Sequence, residues 1–234
     1  MNKNKINFFF KFSNNQINVL AYDFLSNTTL YNEEIKYDTS LDSINSSELI
    51  KCLESKVFFI EDKLGIFLKD ASIILNNHNP FTIGFSLSKN ISGRKLNLNE
   101  VKYLVIDAKS QIEQSNPEMK ICHVLIDSYK IDKKEFFSIP EETSCNEISI
   151  DIRFICYHLK FLNFIKSLLS KISVSTKKFL CKEYVDEFYP VELKMSECQS
   201  AYYIQEGKNM NEVEIFPKKI LHKGFFERLF LLFS

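Results

Sequence analysis

The chain has 234 residues, 45% hydrophobic and 26% charged, with a formal net charge of zero and a sequence pI near 6.9. That length and composition allow a buried core and one or two small domains, and the neutral balance argues against a general nucleic-acid binder, which needs a basic surface. Five Gly and five Pro leave few loops whose backbone can close around a ligand, and six scattered Cys without a Cys-x-x-Cys pair argue against a zinc site. The opening Met-Asn-Lys-Asn-Lys run does not read as a signal peptide, so free thiols in a reducing cytoplasm are expected. No stretch of about 18 uncharged apolar residues is present to span a membrane as a helix.

In chain order, the Phe-rich run Ile6 to Phe12 predicts a strand, and Ser13-Asn14-Asn15 a turn into a second strand over Gln16 to Leu25. That second strand has apolar residues on both faces and is expected to be buried. Leu30 to Tyr37 fits a third strand, and Thr39 to Ser47 a loop. Asn45 and Glu48 have capping-box spacing ahead of a helix carrying Leu49, Ile50, Leu53, Val57, Ile60 and Leu64, with Gly65 near its end. Ala71 to Asn76 and Thr82 to Leu87 predict strands around the turn Asn77-His78-Asn79-Pro80. Asn97 and Glu100 repeat the capping signature before Leu98, Val101, Leu104, Val105, Ala108 and Ile112, a helix stopped by Pro117.

A strand over Ile121 to Ile131 is expected next, then a charged turn at Asp132 to Glu135 and a loop over 136–146. From Glu147 the hydrophobic period is two, through Ile148, Ile150, Ile152 and Phe154; from Leu159 it becomes 3.6, with Phe161, Ile165, Leu168 and Ile172 on one stripe. Lys178 to Val185 reads as a strand again, giving a strand–helix–strand unit. Lys177 and Lys178 are expected at an edge or on the surface, and Glu192 to Asn211 shows no clear period. Val213 to Phe216 fits a short strand.

The capped helix leading to His123-Val124-Leu125-Ile126-Asp127-Ser128-Tyr129-Lys130-Ile131-Asp132, the strand–helix–strand unit of 147–185 and the Gly-aromatic tail stand in an order similar to one known family. The chain resembles FtsA, the actin-like membrane tether of the bacterial FtsZ ring, over about residues 1–190 plus the tail. The resemblance implies an α+β chain: a partial actin-like (ribonuclease H-like) first half, an inserted strand–helix–strand–strand subdomain and a C-terminal amphipathic helix. The implied divisions are 1–81 with 160–190 for the first half, 82–159 for the insert, 191–217 for a linker and 218–234 for a membrane-targeting helix.

The departures from the family matter as much. Actin-like ATPases cradle phosphate with Gly-containing hairpins bearing acidic residues; here the first such turn is Ser13-Asn14-Asn15-Gln16, without Gly or carboxylate. The 44 residues after Pro190 are too few for a second actin half. Loss of ATP binding is therefore expected, leaving no cofactor, no metal and no catalytic residue, and the family's FtsZ site on the second half is expected to be missing. The implied function is a non-catalytic division adaptor at the cytoplasmic face of the inner membrane, at the division site. Its partners would be divisome proteins (FtsZ or a late division membrane protein), with self-association and no nucleic acid. A second reading is an actin-like scaffold of a type IV pilus or type II secretion assembly.

The tail carries the candidate membrane-binding residues Lys218, Lys219, Lys223, Phe225, Phe226, Arg228, Leu229, Phe230, Leu232 and Phe233. On a helix its rings share an apolar arc while the cations supply charge for anionic headgroups, as an interfacial anchor needs. Five large side chains partly buried would contribute about 5–7 kcal/mol gross before ordering costs. The same composition suits a terminal helix packed on the protein's own core; the resemblance favours the anchor. His78, His123, His158 and His222 form no cluster in sequence and are expected to be structural. A third reading, an enzyme using Cys122 or Cys156 with His123, has no identifiable orienting residue.

Overall fold

A computed structural model describes residues 6–37, 46–76, 78–140, 143–188 and 195–213. The chain folds around two sheets. The first has the order β3-β2-β1-β4-β9, with β1 Ile6–Phe12, β2 Gln16–Asp23, β3 Thr28–Lys36, β4 Asp70–Leu75 and β9 Ser175–Cys181. β1, β2 and β3 form an antiparallel meander, and β4 and β9 extend it in parallel with β1. Parallel neighbours need crossovers: helix α1, Ser46–Leu64, leads into β4, and helix α3, Leu159–Lys171, leads into β9. The result is a mixed sheet, an antiparallel meander continued by two parallel strands.

This sheet is covered on both faces. Phe8, Phe9, Phe10 and Phe12 of β1 are all buried, so the continuous aromatic run marks a central strand without a solvent side. α1 contributes Leu49, Leu53, Val57 and Ile60, and α3 contributes Leu162, Ile165, Leu168 and Leu169, at the spacings the sequence predicts. Helix α5, Glu197–Gln205, is pinned to the sheet by polar contacts. Lys11 of β1 pairs with Glu197 at 2.8 Å, Ser72 of β4 hydrogen-bonds Gln205, and Lys178 of β9 donates to the Ile204 carbonyl at 3.3 Å.

The second sheet has the order β5-β8-β6-β7, with β5 Phe81–Asn90, β6 Met119–Ile131, β7 Lys134–Phe136 and β8 Glu147–His158. All its pairings are antiparallel. Helix α2, Leu98–Ser115, covers one face with Val101, Val105, Ala108 and Ile112 against Ile148, Ile150, Ile152 and Phe154. The opposite face is divided. Leu125, Ile155 and Tyr157 join the first sheet's core, and the remainder carries Ser86, Ser128, Lys130, Asp151 and Arg153.

Several local expectations need correction. Residues 182–185 are not strand: β9 stops at Cys181 and helix α4, Lys182–Glu187, follows, burying Tyr184 and Val185. The charged turn shrinks to Asp132-Lys133, both at positive φ, so that β7 already begins at Lys134; this is the two-residue geometry that suits strand twist. Asp132 Oδ1 fixes that turn by accepting from the N–H groups of Asn146 and Glu147. The Asn97 capping box is half formed. Its side chain accepts from Asn99 N–H, whereas Glu100 turns to an ion pair with Lys89. Asn45 lies outside the described residues.

The periodless 192–211 segment contains α5, held by a complete Ser196/Gln199 capping box, so residues 197–213 are packed structure and not linker. Lys178 lies on an edge strand, yet its side chain points inward to Glu212, at 3.1 Å. Of Val213 to Phe216 only Val213 is described, and its N–H donates to the Val124 carbonyl.

Candidate functional site

Open sheets with parallel strands hold ligands beyond the carboxyl ends of those strands. Here those ends are Phe12, Leu75 and Cys181, in register across β1, β4 and β9. The turn after Phe12 is occupied by its own neighbours. Ser13 N–H donates to the Gln16 carbonyl at 2.9 Å, Tyr37 Oη donates to the Ser13 carbonyl, and Asn76 Nδ2 donates to Ser13 Oγ at 3.0 Å. Asn76 N–H closes the gap between strands by donating to the Phe12 carbonyl at 2.8 Å. Burial pushes the Tyr37 phenol up to about 12, so it remains a proton donor at neutral pH. Ser13 is buried, and its N–H, carbonyl and hydroxyl are all engaged within the fold.

At the end of β9 stands a buried polar cluster. The Cys181 N–H donates to His123 Nε2 at 3.1 Å, so that nitrogen carries no proton. His123 is therefore the neutral Nδ1–H tautomer, donating to Glu212 Oε1 at 2.8 Å. Lys178 reaches the same oxygen at 3.1 Å, and Tyr184 Oη donates to Oε2 at 3.1 Å while accepting from Asn209 Nδ2. The His123 and Glu212 side chains are 0% and 3% exposed. Burial lowers the His123 pKa and outweighs the attraction of Glu212. Burial alone would raise Glu212, but the His123 hydrogen bond and the Lys178 charge hold it below its ordinary value.

This cluster ties three parts together. His123 belongs to β6 of the second sheet, Lys178 and Cys181 to β9 of the first, and Glu212 to the strap after α5. The strap lies along β6 as an added bridge, Glu212 opposite Leu125, with Ile126 N–H donating to the Asn211 carbonyl. His123 is thus structural, with both ring nitrogens engaged by groups other than a thiol. Burial raises the thiols of Cys122 to about 12 and of Cys156 and Cys181 to about 11, away from the thiolate a nucleophile requires. His158 caps the start of α3 without a side-chain bond. Among the described residues no His/Cys/Asp/Glu group could hold a metal ion, and no helix is long and apolar enough to cross a membrane.

What remains open lies on the second sheet. Asp151 accepts from Ser86 at 2.5 Å, Ser128 at 2.9 Å and Lys130 at 2.6 Å, which together hold its carboxyl down to about 2. Arg153 forks between Asp127 and Glu187 of α4. On the α2 side a shallow groove is lined by Lys89, Tyr103, Leu104, Ile106, Asp107 and Ser110. The candidate membrane-binding residues 218–233 lie outside the described residues.

A scan against protein-family models finds no match, and a search of curated proteins finds none. Solved structures do match. One is a PilM–PilN type IV pilus biogenesis complex, at a TM-score of 0.44 and 7% identity, covering 76% of this chain and 48% of that one. Another is a Bacteroides thetaiotaomicron protein with an actin-like ATPase fold and unknown function, at a TM-score of 0.32 and 12% identity, covering 79% of this chain and 55% of that one. The chain spans about half the length of the structures it matches.

Proposed function

We propose that the chain is a non-catalytic actin-like scaffold, an adaptor of the FtsA kind that joins division proteins at the cytoplasmic face of a bacterial membrane. One observation supports the non-catalytic part: the turn where a nucleotide-binding relative would cradle phosphate is filled from within by Tyr37, Asn76 and Gln16. The division role and the tail's membrane contact rest on the sequence resemblance. In this reading the first sheet is a rigid base, and the second sheet meets the partner through its open polar face.

The test of the scaffold reading is nucleotide binding. Titration of the full chain with ATP and magnesium is expected to leave its melting temperature unchanged and to release no phosphate; saturable binding or turnover sinks the reading. Deletion of 218–234 in a fluorescent fusion is expected to release the protein from the membrane. Co-precipitation is expected to recover division proteins, and recovery of pilus components would assign the same scaffold to that assembly instead.

A further inference from the structure

β5 is an end strand of the second sheet: it pairs with β8 on one side and with no described strand on the other. Its ten residues match β8 one for one, from Phe81 opposite Cys156 to Asn90 opposite Glu147, without a register shift. Proteins usually blunt such an edge with a short strand, a bulge, an internal Pro or an outward charge. β5 has none of these. Its one charged side chain, Lys89, is drawn onto Glu100 and lies 5.7 Å from the Tyr103 ring centroid, on the α2 side. Gly84 sits mid-strand in ordinary extended backbone, and a Cβ there would meet nothing within 4 Å. A glycine inside a strand marks a bulge, a bend or the approach of a ligand or another backbone, and Gly84 has no bulge in its pairing with β8.

The order of residues along β5 says which backbone. Read outward from Phe85, the strand Phe-Thr-Ile-Gly-Phe-Ser-Leu-Ser-Lys is chemically symmetric. Ser86 mirrors Gly84, Leu87 mirrors Ile83, Ser88 mirrors Thr82, and Lys89 mirrors Phe81. Antiparallel pairing with an identical strand about Phe85 therefore sets small against small, aliphatic against aliphatic, hydroxyl against hydroxyl and a cation against a ring. No like charges stand opposite one another.

We propose that β5 pairs with β5 of a second copy about a two-fold axis at Phe85, joining the two four-stranded sheets into one. The two α2 helices then run antiparallel on the same face, flanking the join. Phe81, Tyr103 and Ile106, left 48%, 65% and 51% exposed in the single chain, lie along this side. The groove between Lys89 and Ser110 is the space the partner helix enters. This dimer does not depend on the adaptor reading and holds whether or not the partners are division proteins.

The register gives the test. Thr82 and Ser88 are exposed and oppose each other across the axis, so like charges at both repel twice per dimer without touching the core. Sedimentation equilibrium of the full chain is expected to show a dimer. The Thr82→Lys/Ser88→Lys variant, and separately Thr82→Glu/Ser88→Glu, are each expected to dissociate about tenfold or more readily. An equimolar mixture of the two is expected to restore the dimer, which also shows that both variants are folded. A wild-type monomer overturns the proposal. So do variants that dimerise as the wild type does, or a mixture that fails to recover.

Discussion

The two sheets solve the same problem with opposite economies. The first is covered on both faces, by α1 and α3 on one side and α5 on the other, and its central strand reads Phe8-Phe9-Phe10 with no polar break. The second has a single helix on it, and β8 alternates buried Ile148, Ile150 and Ile152 with half-exposed Ser149, Asp151 and Arg153. A strand buried on both faces has spent its side chains on its own fold, whereas one with an open face keeps half of them for other contacts. The second sheet also ends in a ten-residue strand, β5, with no described strand beyond it. The contrast places stability in one half of the molecule and recognition in the other.

The largest effect that tests this contrast is in β1. Phe10 is fully buried, and Phe10→Ala is expected to cost about 3–5 kcal/mol, read as a lower urea midpoint with an unchanged slope. A loss below about 1 kcal/mol would mean that the first sheet is less tightly packed than its burial indicates.

The next effect is at the joint between the sheets. Glu212→Gln removes the charge that His123 and Lys178 share and is expected to cost about 2–3 kcal/mol. Its pH signature has a definite sign. The folded pKa of His123 lies below the ordinary 6.5, so its contribution is complete above that value and is lost as pH falls, because the unfolded chain takes up a proton that the folded one refuses. Glu212 is also depressed, from an ordinary 4.5, and adds to the loss at lower pH. Urea midpoints at a series of pH values are expected to fall below 6.5, and His123→Gln is expected to flatten the first part of that fall. An unchanged curve in His123→Gln would show that the acid sensitivity originates elsewhere.

How much of this was legible follows from the range of each interaction. The change of period at Leu159 is local, so β8 and α3 could be read from neighbouring residues. The both-face burial of β1 followed from its continuous apolar run, whereas β2 departs from that expectation: it buries Ile17, Val19 and Ala21 and leaves Gln16, Asn18 and Leu20 half-buried. α5 could not be read from periodicity because what it buries is small: Cys198, Ser200, Ala201 and Ile204 make no apolar stripe. Its Ser196-x-x-Gln199 box was present as a signal. Tyr184 and Val185 continue the apolar content of β9, which conceals the start of α4. His123 and Glu212 are 89 residues apart, and no pattern in either neighbourhood announces the other. The engagement of Ser13 by Tyr37 and Asn76 was equally hidden, although the absence of Gly and carboxylate from that turn was plain in the sequence.

The smallest effect should come from the open face, and its size decides whether the contrast holds. Asp151 and Glu212 each have three side-chain partners, and the Asp151 carboxyl is held lower than the ordinary 3.8, at about 2, first by Lys130 and then by Ser86 and Ser128. Number of partners alone would make the two sites equal. Solvent separates them: the Lys130 and Asp151 side chains are 44% and 30% exposed, so water and salt screen the pair. Asp151→Asn is therefore expected to cost less than about 1 kcal/mol and to cost still less in high salt. Because the folded pKa is depressed, its contribution is present above 3.8 and lost only as pH falls toward 2, well below the range in which His123 acts. A cost for Asp151→Asn equal to that of Glu212→Gln and insensitive to salt would mean that the second sheet's polar face is sealed, and the division between a closed base and an available surface would have to be given up.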